Sequence, residues 1–157
     1  MNPNPPEMTK PHEETANPEE LTPLFHGAQN RCFGCGQANS VGLRLEFSQS
    51  AEGAVVSNAV ISDQYEGPRG YVHGGIIATL LDEAMSKANR AQGVTAMTRQ
   101  MQVEYLRPVP SNAPIRIEGN VTRSEGRKHW TEAKIQNAEG LVLAHATGLF
   151  IAITVRP

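Results

Sequence analysis

The 157-residue sequence holds two cysteines, one tryptophan and no apolar run long enough to cross a bilayer. Each scarcity removes a class of answer. Cys32 and Cys35 are too few and too close for a disulfide framework and fit a reducing compartment, so the expected location is the cytoplasm. Aromatic residues make up only 5% and the formal net charge is −2, which leaves no basic stripe to neutralise phosphates and excludes a nucleic-acid partner. The N-terminus lacks the charged start and apolar stretch of a secretory signal, and no membrane span is expected.

What is present divides into a tail and one domain. Residues 1–24 carry six of the eleven prolines, many acids and no arginine, so they bury too little apolar surface to offset the entropy of ordering and are read as a disordered tail. The domain is read as residues 25–157. Within it, residues 43–47 and 54–61 are strand candidates, and a loop then leads to `YVHGGIIATLLDEAM`. Ile76, Ile77, Leu80, Leu81, Ala84, Met85 and Ala88 recur at helical spacing, with Gly93 as a stop after Ala91. Four β-rich runs follow at residues 94–107, 114–125, 128–137 and 141–154, separated by turn signals that make consecutive strands antiparallel. The expected fold is α+β, one long helix against a sheet of five or six strands.

The helix raises the chemical question. Glu83 and Lys87 are spaced i,i+4 at the border of the apolar stripe and read as a solvated pair, whereas Asp82 falls among Ala78, Thr79, Ser86 and Asn89, a strip of small residues suited to docking. Gly74 and Gly75 open the helix with N–H groups that no Cβ shields, the geometry of an oxyanion site, unless His73 caps them. From His73 to Asp82 the rise is about 13 Å, so both ends reach one carbonyl only if a second subunit supplies one of them.

The stretches `HGGIIATLLDEA`, `GVTAMTRQMQVEYLRPVP` and `SEGRKHWTEAKIQNAEGLVLAHATGLFI` resemble the hotdog-fold acyl-CoA thioesterases of the phenylacetate-pathway type, over roughly residues 31–154. The resemblance implies a central helix wrapped by an antiparallel sheet, and a homodimer or a dimer of dimers. It further implies that Asp82 is the catalytic base or nucleophile, that the Gly75 N–H of the other subunit polarises the thioester carbonyl, that His73 positions the thioester and that Thr98 lines the pocket. Gly74 and Glu83 join the substrate-binding candidates. Arg123, Arg127 and Lys128 around the `SEGRK` turn correspond to the region that approaches the CoA phosphates. Acyl-CoA is the implied substrate and no cofactor is expected. The alternatives are a non-catalytic acyl-CoA binding module and a hotdog hydratase or dehydratase.

Two weaker signals remain. `CFGC` invites a zinc reading with His26 as third ligand, but a structural site wants four ligands and no second pair exists, so no metal is expected. Strand alternation points His129 and Trp130 to opposite faces, with Trp130 expected in the core and His145 a satisfied strand histidine.

Overall fold

The computed structural model describes residues 19–154. Its single long helix, α1, runs Gly74–Ala91, the span that the apolar spacing predicts. His73 caps its start in extended conformation, and its end is closed by N–H bonds from Gln92 to Asn89 and from Gly93 to Arg90, with Gly93 at a φ of 77° that favours glycine. Seven strands accompany it among the described residues: β1 (Leu21–Pro23), β2 (Ser48–Ser50), β3 (Val55–Val60), β4 (Ala96–Tyr105), β5 (Pro114–Glu125), β6 (Lys128–Asn137) and β7 (Val142–Ala152). They form one antiparallel sheet in the order β1-β2-β3-β5-β6-β7-β4. Among the described residues β4 is therefore an edge strand, paired to β7 alone.

The sheet curves around α1 because its inner rows alternate bulk and smallness. Ile117 faces Ile135 across β5 and β6, and Ile135 faces Ala144 on β7. One step along lie Gly119, Ala133 and Ala146. A Cβ on Gly119 would lie 2.5 Å from the Ala84 carbonyl oxygen, so only glycine lets the helix backbone come this close. Leu80, Leu81, Ala84 and Met85 are fully enclosed there with Ile117, Ile135 and Phe150. Fully burying side chains of this size contributes about 1.5–3 kcal/mol each.

Three expectations change. Residues 43–47 form no strand: Arg44 takes a φ of 52°, and the Leu43 and Leu45 N–H groups bond to the carbonyls of Phe33 and Gly34, so the segment belongs to a loop even though Leu45 and Phe47 are core residues. Pairing instead begins at Ser48, and this short β2 recruits β1. β1 lies inside the stretch read as tail, so ordered pairing starts before residue 25; residues 1–18 of that stretch lie outside the described residues. The strand count is accordingly seven rather than five or six.

Candidate functional site

The loop before α1 is held firmly where it meets the helix. The Val72 N–H donates to the Val109 carbonyl and the His73 N–H to the Tyr65 carbonyl, each at 2.8 Å. His73 then turns its own side chain onto the helix: Nδ1 accepts from the Gly75 N–H at 2.9 Å. The donor expected to stand open is thus capped. The Gly74 N–H, one residue earlier, makes no hydrogen bond among the described residues. Tyr105, at the end of β4, packs its ring against Gly74 and donates its hydroxyl to the Gly74 carbonyl at 3.0 Å.

Two turns along the helix, Asp82 faces β4. Thr98 Oγ1 donates to its Oδ1 at 2.6 Å, so the two residues expected to share a pocket are in direct contact. The carboxylate is half-buried and forms no ion pair among the described residues. Burial raises its pKa above 3.8, the Thr98 hydrogen bond opposes that rise, and the neighbouring Glu83 charge adds to it. Such a carboxylate is a stronger base than a solvated one, and its Oδ2 has no partner among the described residues. Of the expected small-residue strip, Ala78, Thr79 and Ser86 are half-buried with Asp82, but Asn89 is fully enclosed and donates to the Met85 carbonyl.

Glu83 and Lys87 are not a solvated edge. Their ion pair, at 3.3 Å, leaves the side chains only 10% and 13% exposed, because the loop of residues 30–36 folds over them. Glu83 therefore turns away from Asp82 and Thr98 and meets Cys32, whose thiol donates to Glu83 Oε2 at 3.4 Å. Burial and the Glu83 carboxylate push the Cys35 thiol up to about 12, so it keeps its proton unless a bound cation displaces it. His26 does not complete a cysteine site: its Nε2 accepts from the Phe47 N–H at 3.2 Å.

The `SEGRK` turn joins β5 to β6. Arg123 lies 4.4 Å over the Trp130 ring and pairs with Glu125, while Arg127 Nε donates to the Ala152 carbonyl. Trp130 is half-exposed beneath that guanidinium, and the buried residue of the pair is His129, bonded to Ser124, so the expected core placement of Trp130 is reversed. The register relates this turn to Thr98. Thr98 is opposite Phe150 and Phe150 opposite His129, with Lys128 next in the chain, so the basic turn and Thr98 share one end of the sheet, about 10 Å apart across two strand spacings.

The Tyr105 contact and the Cys32–Glu83 contact were not anticipated. `EYL` reads only as the end of a strand, and Cys32 and Glu83 are 51 residues apart, beyond any local spacing rule.

The family model described as thioesterase superfamily matches residues 69–144, from the loop before α1 into β7. The acyl-coenzyme A thioesterase THEM4 of Xenopus laevis is 32% identical over 108 residues, covering 68% of this chain and 49% of that protein, so the chain spans about half the length of this relative. A solved thioesterase superfamily protein superposes with a TM-score of 0.74 at 32% identity, covering 77% of this chain and 60% of that one. A Bacillus halodurans protein solved with CoA superposes with a TM-score of 0.64 at 26% identity, covering 73% and 77%. With the helix packed on its antiparallel sheet and the matched segment spanning both ends of the site, the chain has the hotdog fold and resembles the thioesterase superfamily proteins across that site.

Proposed function

We propose that the chain hydrolyses acyl-CoA thioesters to the free acid and CoA, with Asp82 as the reacting carboxylate. The observation that carries this reading is the Asp82–Thr98 pair: a half-buried carboxylate, one oxygen held at 2.6 Å by a hydroxyl, the other left to act. Either Oδ2 takes a proton from water as that water attacks the carbonyl carbon, or Oδ2 attacks and forms a mixed anhydride that water then opens. In both routes the carbonyl π electrons move to oxygen and return as the C–S bond breaks and CoA leaves as a thiolate. Thioester carbonyls are electrophilic enough for this without a cofactor. The names of the relatives agree: the Xenopus protein is called an acyl-coenzyme A thioesterase, and the Bacillus halodurans structure contains CoA.

The oxyanion is assigned to the start of α1 in a second subunit. Gly75 and Asp82 are separated by about 10 Å of helix rise, too far for one helix to serve both carbonyl atoms. The Gly74 N–H is open to a ligand, and the Gly75 N–H joins it once the substrate oxygen displaces His73 Nδ1. The free edge of β4, with Met97 61% and Tyr105 55% exposed, supports a homodimer joined there, because an unpaired strand of this length is otherwise a pairing liability. Lys128 and the arginines of its turn, at the Thr98 end of the sheet, are assigned to the CoA phosphates.

Incubation with a panel of aromatic, short-chain and long-chain acyl-CoAs, read by free-thiol release, tests the reading. Turnover of at least one class, abolished by Asp82→Asn, is expected. Saturable acyl-CoA binding with no thiol release from any member would make the chain a binding module instead.

A further inference from the structure

Away from Asp82, the loop of residues 30–36 presents two sulfurs to one carboxylate. The ligand atoms of Cys32, Cys35 and Glu83 all lie within 4.8 Å of one another, Cys35 and Glu83 buried and Cys32 half-exposed. We propose that these three residues form a binding site for a thiophilic divalent cation, zinc above all.

The loop is built around the trio. The Cys32 N–H donates to Asn30 Oδ1, and the other end of that amide, Nδ2, donates to Cys35 Sγ at 3.2 Å. An N–H directed at sulfur is the outer contact that holds a ligating thiolate in place. The Gly36 N–H closes the turn on the Cys32 carbonyl. Of the glycines flanking Cys35, Gly36 is sterically required by backbone, and Gly34 by the present position of the Glu83 side chain. A Cβ on Gly34 would stand 2.5 Å from Glu83 Oε2, and one on Gly36 would stand 2.5 Å from the Cys32 backbone nitrogen and oxygen. Gly34 therefore leaves the space through which the carboxylate enters the loop.

Donor type and charge fit the ion. Zinc binds sulfur at about 2.3 Å and carboxylate oxygen at about 2.0–2.2 Å, so tetrahedral donors are spaced by roughly 3.5–3.8 Å. Cys32 Sγ and Glu83 Oε2 are already 3.4 Å apart, and the remaining closure is a side-chain adjustment. Lys87 occupies the other carboxylate oxygen, Oε1. With both thiols protonated the group is neutral, as Glu83 and Lys87 cancel. Zinc bound with loss of both thiol protons adds two positive and two negative charges and keeps it neutral. His26 is engaged with Phe47, so the fourth position falls to water, reached past half-exposed Cys32.

Titration of the reduced, metal-free, full-length protein with Co²⁺ as spectroscopic probe, followed by Zn²⁺, decides the matter. One equivalent of Co²⁺ should bind with thiolate-to-cobalt charge-transfer absorption and be displaced by Zn²⁺, which in turn should protect both thiols from alkylation. Cys32→Ser/Cys35→Ser should lose the absorption. Glu83→Gln should weaken binding by at least about tenfold while keeping it, and Asp82→Asn should bind as the parent does. The parent protein's own spectrum and its thiol protection stand as readouts should the double variant fail to fold. Absence of charge transfer at stoichiometric Co²⁺, alkylation unchanged by Zn²⁺, or conversion of the pair to an intramolecular disulfide without metal uptake would each overturn the proposal.

Discussion

Asp82 and Glu83 are consecutive acids on one helix, yet their surroundings divide them completely. Asp82 faces an edge strand, is half-buried, and has a single hydroxyl as partner. Glu83, turned by about 100°, is enclosed by a loop, paired with Lys87 and touched by a thiol. A reacting carboxylate must be accessible and free of a cation that would hold its lone pairs; a structural one must be neutralised before burial becomes tolerable. The same functional group thus stands half-open with one hydroxyl partner on one face and is enclosed in an ion pair on the other. Helical periodicity alone decides which acid meets which neighbour.

The largest test of that division is Asp82→Asn, which should lower thioester hydrolysis by at least about 100-fold, the scale of losing a positioned base. Folding and assembly should survive, since Asn keeps the acceptor that Thr98 uses. Near-normal thiol release would remove Asp82 from the chemistry. A second test asks whether the two ends of the site belong to different subunits. Asp82→Asn and Gly75→Val chains, each nearly inactive alone, should regain about half of the parental activity per heterodimer after mixing, because one composite site then holds both lesions and the other neither. Exchange is checked by mass spectrometry of differently tagged chains. If exchange occurs and activity stays at the level of the single variants, the shared site is wrong.

Glu83→Gln addresses the opposite face. It leaves the Lys87 ammonium buried without a counter-charge and should cost about 3 kcal/mol of stability in denaturant unfolding, with hydrolysis reduced only a few-fold. A reversal, full stability with lost turnover, would exchange the roles of the two acids. Thr98→Val sharpens the Asp82 side further. Losing a hydrogen bond to a charged group, about 1.5 kcal/mol, should slow turnover by about tenfold, and an unchanged rate would reduce Thr98 to packing.

Legibility in the sequence followed the range of the interactions. The bounds of α1, β5 and β6 were readable to the residue because caps, turn residues and apolar spacing are local. The Asp82–Thr98 contact, across 16 residues, was reachable only through a family resemblance. The burial of Glu83 and Lys87 was not legible at all. Their spacing is that of an ordinary exposed pair, and the loop that covers them comes from some fifty residues upstream, where `CFGC` points to His26 as a neighbour and not to the helix. β1 escaped notice for a related reason: it is three residues long, ends on Pro23 and is held by pairing with β2. His73 posed a choice between cap and open site, and its Nδ1 accepts from the Gly75 N–H as a cap does.

The smallest expected effect is on stability, and it runs opposite to the largest. Burial raises the pKa of Asp82 in the folded chain above 3.8, against the pull of Thr98 and with Glu83 adding to the rise. The folded state therefore holds this proton more tightly than the unfolded state does. Between the unfolded and folded values the native chain binds more protons, so the contribution of Asp82 to stability falls as pH rises through that window, and above it the cost of keeping a desolvated charge is fully present. Asparagine never carries that charge. Asp82→Asn should accordingly raise the thermal midpoint at neutral pH, by a small amount because solvent screens a half-exposed group. The gain should shrink as the pH is lowered and vanish below the unfolded value, where the aspartic acid is neutral as well. Thermal unfolding of both proteins across that range measures the difference directly. A variant less stable than its parent at neutral pH, or one whose gain persists unchanged into acid, would mean that Asp82 is held by favourable contacts rather than kept, at a cost to the fold, for chemistry.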